Sequence, residues 1–560
     1  MESHSSWIVI RRLRLPILII ILTFAISILG MVLIPGQDDQ GHIYHLNFFD
    51  AFYFVSYMAS TIGFGESPYA FTYQQKLWVS LMIYLTVIGW FYGIGTIVAL
   101  IQDEVLHKEL IKSRFAKAVK TMNEPFILIF GYNSVTRSLI KKLNQLQMRM
   151  VVIDKSQESI DALMLENYHP LIPAFSGDIF DPKMLELAGI RKKSCKAAII
   201  LFEDDQKNTR ASLMCKHLNK RMELIVRSNS PQNSEFLETI GVDHIENPFE
   251  VISGRLHLAL TAPNLWLIEM WIYGHLLKFK EREVLPQGSY IIYGYGRMGK
   301  ALERGLKKAG IAYRFIDAKL SLRGEDASEA RYHEDEIEAK LLAADIENAA
   351  AIIAATRDDL INLAVIALSK KHNPAIYTIS RENELIDLKI FKAARINRNY
   401  ILDEIIINKT YHYIAMPLVN VFIGHLAHQD ESWGKMLVDR IVGKMGENPD
   451  LCEIEISPDD AYAAAQELEK GAVITLEMLA RRREDFRLKN DLLFLMVLRE
   501  KQPLLLPPDD FKIRAGDQLL VICHEESRED LAYILNNHYD LHYAMCGKEK
   551  VTGIARYFVS

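Results

Sequence analysis

The chain has almost no excess of charge. Among 560 residues, 65 basic against 71 acidic side chains leave a net charge of −6, so no global field recruits nucleic acid and none is expected as a partner. Cysteine is scarce: Cys195, Cys215, Cys452, Cys523 and Cys546 are odd in number, scattered and never in a CxxC pair. That fits neither a disulfide framework nor a zinc ribbon and points to reducing cytosol for most of the chain. Glycine (29) and proline (18) are too few for collagen or low complexity, and a 50% hydrophobic content excludes disorder. At ~150 residues per domain, the length excludes one compact fold.

Long uncharged runs are confined to the start. Leu15 to Ile34 gives 20 residues without a charge and Leu77 to Ile101 gives 25, and no later stretch matches them. Each is long enough to cross ~30 Å of hydrocarbon as a helix. A signal peptide does not fit the first run, because the chain returns to the membrane and shows no small-residue cleavage site. Arg11, Arg12 and Arg14 precede the first run and Lys108, Lys112, Arg114 and Lys117 follow the second. The segment between carries Asp38, Asp39, Asp50 and Glu66 against Lys76 alone. Positive-inside bias then puts both termini in the cytoplasm of a multi-pass protein.

Between the runs lies a shorter apolar segment, Phe48 to Ser60, suited to a re-entrant helix, which leads into Thr61-Ile62-Gly63-Phe64-Gly65. Non-helical backbone at membrane depth is tolerated only where it is buried in protein or lines a wet pathway. Glycines at alternate positions allow positive φ there, so that successive carbonyls can point one way and replace a cation's hydration shell. The short helix would aim its negative end at that pathway.

These five residues resemble the potassium-channel filter signature TVGYG, with Ile62 for valine, Phe64 for tyrosine and Glu66 where aspartate usually follows. The order of span, short helix, loop and span is also similar. The resemblance implies K+ held by the carbonyls of Thr61 to Gly65, a homotetramer because one chain supplies one filter strand, and surrounding membrane lipid. Phe64 lacks the hydroxyl that braces the family's filter against its short helix. In the second run Gly89, Gly93 and Gly95 serve close helix packing or a bend. The resemblance favours a gating hinge, for which Gly89 is taken.

The remaining four-fifths is one plan used twice. Phe126-Ile-Leu-Ile-Phe-Gly-Tyr-Asn-Ser134 is echoed by Tyr290-Ile-Ile-Tyr-Gly-Tyr-Gly-Arg297, and Ala197-Ala-Ile-Ile200 with Asp204, Asp205 and Asn208 by Ala350-Ala-Ile-Ile353 with Asp358, Asp359 and Asn362. Landmarks in the same order with drifting offsets indicate an internal duplication of parallel α/β units. The second copy carries Gly294-Tyr295-Gly296-Arg297-Met298-Gly299 between a strand and a helix. Gly294 suits the tight turn, Gly296 the approach of a pyrophosphate and Gly299 close helix packing, with Asp317 placed to hold ribose hydroxyls. A carboxylate there disfavours a 2′-phosphate, so NAD or an adenosine nucleotide such as ADP is the expected ligand. In the first copy Gly131 remains, but Asn133 and Thr136 replace the other glycines. A dinucleotide is not expected there, while adenosine binding through Asp154 stays open.

These motifs, with Asn247-Pro-Phe-Glu-Val-Ile-Ser-Gly-Arg-Leu256, resemble tandem RCK domains, the regulators of potassium conductance. The whole chain resembles prokaryotic two-span channels with two fused RCK modules, of the multi-ligand-gated GsuK type. The implied fold is an all-α two-span pore domain with a re-entrant helix and filter (1–101), a linker (102–124), two Rossmann-like RCK modules with crossover helices (125–286 and 287–429), and a small α+β lobe and tail (430–560). The implied function is a ligand-gated potassium channel, not an enzyme, in a prokaryotic cell membrane. The calcium site of some members looks absent, since the matching stretches read Ala197 to Phe202 and Leu224 to Asn229. Asp178, Glu334 and Asp335 leave ligand or Ca2+ binding open. The apolar crossover stretches, Val251 to His275 and Ile401 to His425, should pair with partner modules. Two other readings are a nucleotide-sensing subunit of a potassium transporter, which leaves Thr61 to Gly65 purposeless, and a membrane-tethered NAD-dependent oxidoreductase. The latter lacks a Ser, Tyr and Lys grouping after Gly299.

Overall fold

A computed structural model describes residues 2–274, 279, 284–316, 334–383, 388–446 and 449–549, with side chains from residue 13 onward except 104, 106–107, 334–335 and 388. By internal contacts the chain divides into two compact units, Met1–Glu124 with Pro173–Gly177 and Lys183–Gly189, and the remainder.

The first unit is helical: α1 (Glu2–Leu33), α2 (Phe48–Ala59) and α3 (Tyr73–Ile101), followed by a helix over Glu104–Thr121. Leu13–Leu33 (21 residues) reaches a mean hydropathy of 2.7 over an 18-residue window and α3 (29 residues) reaches 1.8; both are long and apolar enough to cross a membrane. Helix α2 begins at Asn47, whose side chain accepts from the Asp50 amide at 2.9 Å and so satisfies one orphan N–H of its first turn. Its buried residues Ala51, Phe54, Val55 and Tyr57 pack with Ile28 and Met31 of α1 and with Phe71. Small residues bring α1 and α3 together. A Cβ at Gly30 would strike the Trp78 ring, one at Gly93 would strike Ile20, and one at Gly89 would lie 3.2 Å from Thr23 Oγ1. Helix α3 runs unbroken through Gly89, Gly93 and Gly95, and only the last of these three has open space at its Cβ position.

In the second unit, the first module contains strands β1 (Phe126–Phe130), β2 (Arg149–Asp154), β3 (Cys195–Ile200), β4 (Glu223–Arg227) and β5 (His244–Glu246). They lie parallel in the order β2-β1-β3-β4-β5. The second module repeats that order as β7-β6-β8-β9-β10, with β6 (Tyr290–Tyr293), β7 (Tyr313–Ile316), β8 (Ala351–Ala354), β9 (Tyr377–Glu382) and β10 (Arg398–Ile401). All residues of β1, β6 and β8 are buried, as expected of apolar runs covered on both faces, and the sheet order reverses beside the first strand of each module, where doubly wound folds open a ligand crevice.

Six helices matter for the sites: α4 (Ser134–Gln145) and α5 (Asp205–Leu218), then α6 (Pro248–Thr261) and α7 (Pro263–Ile272), then α8 (Arg297–Ala309) and α9 (Asp359–His372). The second module ends in α10 (Leu402–Ala415) and α11 (Pro417–Leu426). Each crossover stretch is therefore two helices rather than one, because Pro263 and Pro417 cannot donate to a continuing helix and start a new one. Helix α6 packs on α8 and α10 packs on α4, so each module lends its crossover helix to the other within one chain. His275 lies outside the described residues.

The last part forms an antiparallel sheet of β11 (Asp450–Glu455), β12 (Leu492–Arg499), β13 (Gln502–Leu505) and β14 (Gln518–Cys523), ordered β11-β14-β12-β13. Strand β14 starts at Gln518 because Gly516 (φ +83) turns the chain before it and buried Asp517 is held by Arg499 at 2.7 and 2.8 Å. After Cys523 two further helices follow, Glu525–Asn536 and His538–Cys546. All five cysteines are free, and four are buried.

Candidate functional sites

The segment after α2 is non-helical and turns back on the helix that precedes it. Positive φ occurs at Thr61 (62°), Gly63 (66°) and Gly65 (97°), alternating with Ile62 and Phe64. For β-branched Thr61 this is a costly conformation; the two glycines adopt it freely. The amides of Thr61, Ile62 and Gly63 donate to the last carbonyls of α2, at 3.1 Å to Met58 and at 2.9 and 3.4 Å to Tyr57. They thereby satisfy acceptors that a helix C-terminus leaves open. Among the described residues no donor reaches the carbonyls of Thr61, Ile62, Gly63 or Phe64. The Tyr57 hydroxyl donates to the Gly65 carbonyl at 2.5 Å, and its ring meets Phe64 edge-on at 5.5 Å. Glu66 then anchors the exit, accepting from the Phe71 amide at 2.8 Å and lying 3.4 Å from Lys76 Nζ. An open recess of about 620 Å³ borders the loop, lined among others by Phe54, Tyr57, Met58, Thr61 and Gly63. The sequence showed the glycines; it did not show that the alternation starts at Thr61, nor that Tyr57 reaches Gly65.

The two glycine turns differ in what occupies the helix N-terminus. In the second module Gly294 (φ +104) leaves its Cβ position 3.1 to 3.2 Å from Thr356 and Ala355. A Cβ at Gly299 would strike the Gly294 carbonyl, so only glycine permits this approach. Gly296 caps α8 without any side-chain hydrogen bond and has nothing within 4 Å of its Cβ position. The first amides of α8 are thus free to face an anion. Arg297 follows, its guanidinium 5.2 Å from the Phe249 ring centre and held below its ordinary pKa first by burial and then by Arg357. Met298 is fully buried and packs in the module core. Asp317 lies outside the described residues.

In the first module the same place is filled by the chain itself. Asn133 Oδ1 accepts from the Thr136 amide at 2.9 Å, and Thr136 Oγ1 accepts from the Asn133 amide at 2.9 Å, a capping box that consumes the donors left open at α8. A Cβ at Gly131 (φ +83) would come 2.5 Å from the Phe202 ring. The Asp154 carboxylate accepts from the Tyr132 amide at 2.6 Å and the Ser156 amide at 2.7 Å, so it braces its own loop. Asp178 is exposed and closes a local turn onto the Phe180 amide at 3.0 Å. The side chains of Glu334 and Asp335 lie outside the described ones, and among the described residues no group of three or more His, Cys, Asp or Glu stands ready for a metal ion.

The duplicated acids and amides build the crevice floor. Asn208 Nδ2 bridges the Phe202 and Arg227 carbonyls, both at 2.8 Å, and Asn362 repeats this with Thr356 (3.1 Å) and Arg381 (2.9 Å). Asp204 and Asp358 cap α5 and α9, while Asp205 and Asp359 hold the amides of Asn229 and Asn383. Between the modules, buried Arg227 donates to Asp403 at 3.2 Å, and Lys409 lies 3.2 Å from fully buried Glu246. Burial works against the Lys409 charge, yet Glu246 and two tyrosines hold its pKa above the ordinary value. Arg381 is pushed down to about 10, by burial first and then by Arg357 and Arg297.

Residues 127–248 and 290–402 both match the TrkA-N domain family. "Potassium channel protein 1" of Methanocaldococcus jannaschii is 24% identical over 259 residues, which cover 46% of this chain and 72% of that one. An "Uncharacterized protein" of Methanothermus fervidus is 26% identical over 225 residues, 40% of this chain; the chain spans about a third (34%) of that relative's length. The solved "GsuK channel bound to NAD" is 16% identical with a TM-score of 0.47, covering 94% of this chain and 99% of that one. The repeated strand order and the two glycine turns at matching positions fall within these two segments, which match the TrkA-N domain family in tandem.

Proposed function

We propose that the chain is one subunit of a homotetrameric potassium channel whose gate responds to NAD or an adenine nucleotide bound at the second TrkA-N domain. The observation that carries this reading is the alternation of positive φ at Thr61, Gly63 and Gly65, with the amides of Thr61, Ile62 and Gly63 drawn back to α2. Alternating handedness turns successive peptide planes so that carbonyls share one side, and four such strands around an axis replace the hydration shell of K+. The C-terminal end of α2 adds a favourable negative field. Ile62 and Phe64 leave 60% and 70% of their surface exposed in one chain, apolar area that three further copies would cover.

In this reading α1 and α3 span the membrane with both termini in the cytoplasm, and α3 lines the inner pathway, with Gly89 as its hinge. The free amides of α8 hold the nucleotide's phosphates, and Asp317 holds the ribose. Binding opens or closes the gate only to the extent that the two states differ in affinity for the nucleotide. The modules regulate and do not catalyse. The test is ion flux into liposomes holding the purified protein, with K+ or Na+, in the presence and absence of NAD and ADP. Expected is K+ flux that changes with nucleotide; absence of K+ flux under every nucleotide condition refutes the channel reading.

A further inference from the structure

Tyr57 holds the loop at three points. It sits in the last full turn of α2 with 4% of its surface exposed. Its main-chain carbonyl accepts from the amides of Ile62 and Gly63, its hydroxyl donates to the Gly65 carbonyl, and its ring stands edge-on to Phe64. The ring is itself fixed by Phe54 at 5.3 Å, which meets Phe71 at 4.8 Å. A recess of about 620 Å³, open at the surface of the single chain, borders the loop beside Tyr57. Phe64 has no hydroxyl to add a tie of its own.

We infer that Tyr57 is the positioning residue for ion selectivity, its hydroxyl acting as a strut that sets how far the carbonyls of Thr61 to Gly65 stand from α2. This rests on the reading of that loop as the ion path. A larger ion is bound well only if the ring of oxygens is kept from closing on a smaller one; whether cavity size or the number of carbonyl dipoles dominates, both depend on where the loop is held. A hydrogen bond spanning eight residues, from helix end to loop end, limits that closure directly. Only the hydroxyl distinguishes tyrosine from phenylalanine here, because the ring contacts to Phe54 and Phe64 survive its loss.

The test measures reversal potentials in bi-ionic K+/Na+ solution on the full-length protein. For Tyr57→Phe, the Na+ to K+ permeability ratio should rise by about an order of magnitude, a difference of about 1.4 kcal/mol between the two ions and a fraction of the four hydrogen bonds lost around the ring. Tyr53→Phe, whose ring is 55% exposed and lies 5.2 Å from that of Tyr57, should leave the ratio unchanged. If Tyr57→Phe fails to assemble, fluorotyrosine at position 57 keeps the ring and makes the hydroxyl a stronger donor, and the ratio should fall. A conducting protein whose ratio is unmoved by Tyr57→Phe or by fluorotyrosine overturns the inference and leaves the channel reading standing. A wild-type protein without K+ flux overturns the channel reading instead.

Discussion

Replacing Gly296 by asparagine would give the second module the first module's turn. Gly131, Asn133 and Thr136 correspond to Gly294, Gly296 and Gly299 at a constant offset of 163. Gly296 has φ −81° and ψ −163°, which any residue adopts, and its Cβ position is open, so the side chain is accommodated without strain. As Asn133 does with Thr136, the new amide oxygen would accept from the Gly299 amide. Helix α8 then gains a few tenths of a kcal/mol, the usual difference between glycine and asparagine at an N-cap. The nucleotide loses that amide and the open approach beside it. One charge-assisted hydrogen bond at ~1.5–3 kcal/mol amounts to at least ~10-fold in affinity. Calorimetric titration of the full chain with NAD and with ADP, beside a thermal melt, separates the two effects. Expected are a melting temperature equal to or above wild type and affinity reduced ~10-fold or more, with single-channel conductance unchanged. Gly296→Asp adds like-charge repulsion and should do at least as much. Affinity within threefold of wild type would refute the assignment of the phosphates to α8.

Three further outcomes are expected. Lys409→Met strands the buried Glu246 carboxylate and should cost ~3–5 kcal/mol at the module contact, read as faster hydrogen exchange in α10 and β5; adding Glu246→Leu should recover most of it. Burial pushes the Glu453 carboxyl up to about 7 from an ordinary 4.5, against the α11 amides of Val419 and Leu418, which favour its ionised form. Because the folded value is the higher one, its stabilisation is complete below about pH 4.5 and is lost as pH rises through about 7, on the order of 1–3 kcal/mol. Protection factors in β11 and α11, with the intrinsic rise of exchange rate with pH divided out, should therefore fall from about pH 6 to pH 8.5, and Glu453→Gln should abolish that fall. Gly89→Ala should lower the open probability while leaving the K+/Na+ ratio intact; unchanged gating would assign Gly89 to its packing against Thr23 alone.

Much of the architecture was legible because it follows from local rules. Uncharged runs of membrane length became α1 and α3, and the apolar stretch too short to cross became α2. Apolar strands before glycine turns became β1 and β6, with the strand order repeated as the duplicated landmarks implied. Gly294 and Gly299 fell where backbone clearance requires them, while Gly296 lies in open space at the helix start. Less legible was the first module's turn. Asn133 and Thr136 read as missing glycines, although their three-residue spacing is also that of a capping box, and it is the cap that occupies the helix terminus. The crossover stretches read as apolar without showing their division at Pro263 and Pro417.

Composition, run length and residue spacing alone determined where helices and strands form, which glycines are indispensable, and that one module is built twice. These depend on backbone sterics and periodic burial, which act over a few residues. Which side chains meet was decided only by the tertiary structure. Tyr57 finds the Gly65 carbonyl because the loop folds back on α2; Lys409 finds Glu246 because the modules exchange crossover helices; Glu453 finds the start of α11 because β11 lies beside it. In each case the partner's place is set by packing of elements distant along the chain, and a hydrogen bond or ion pair, effective only within about 3 Å, leaves no periodic trace in the residues that make it.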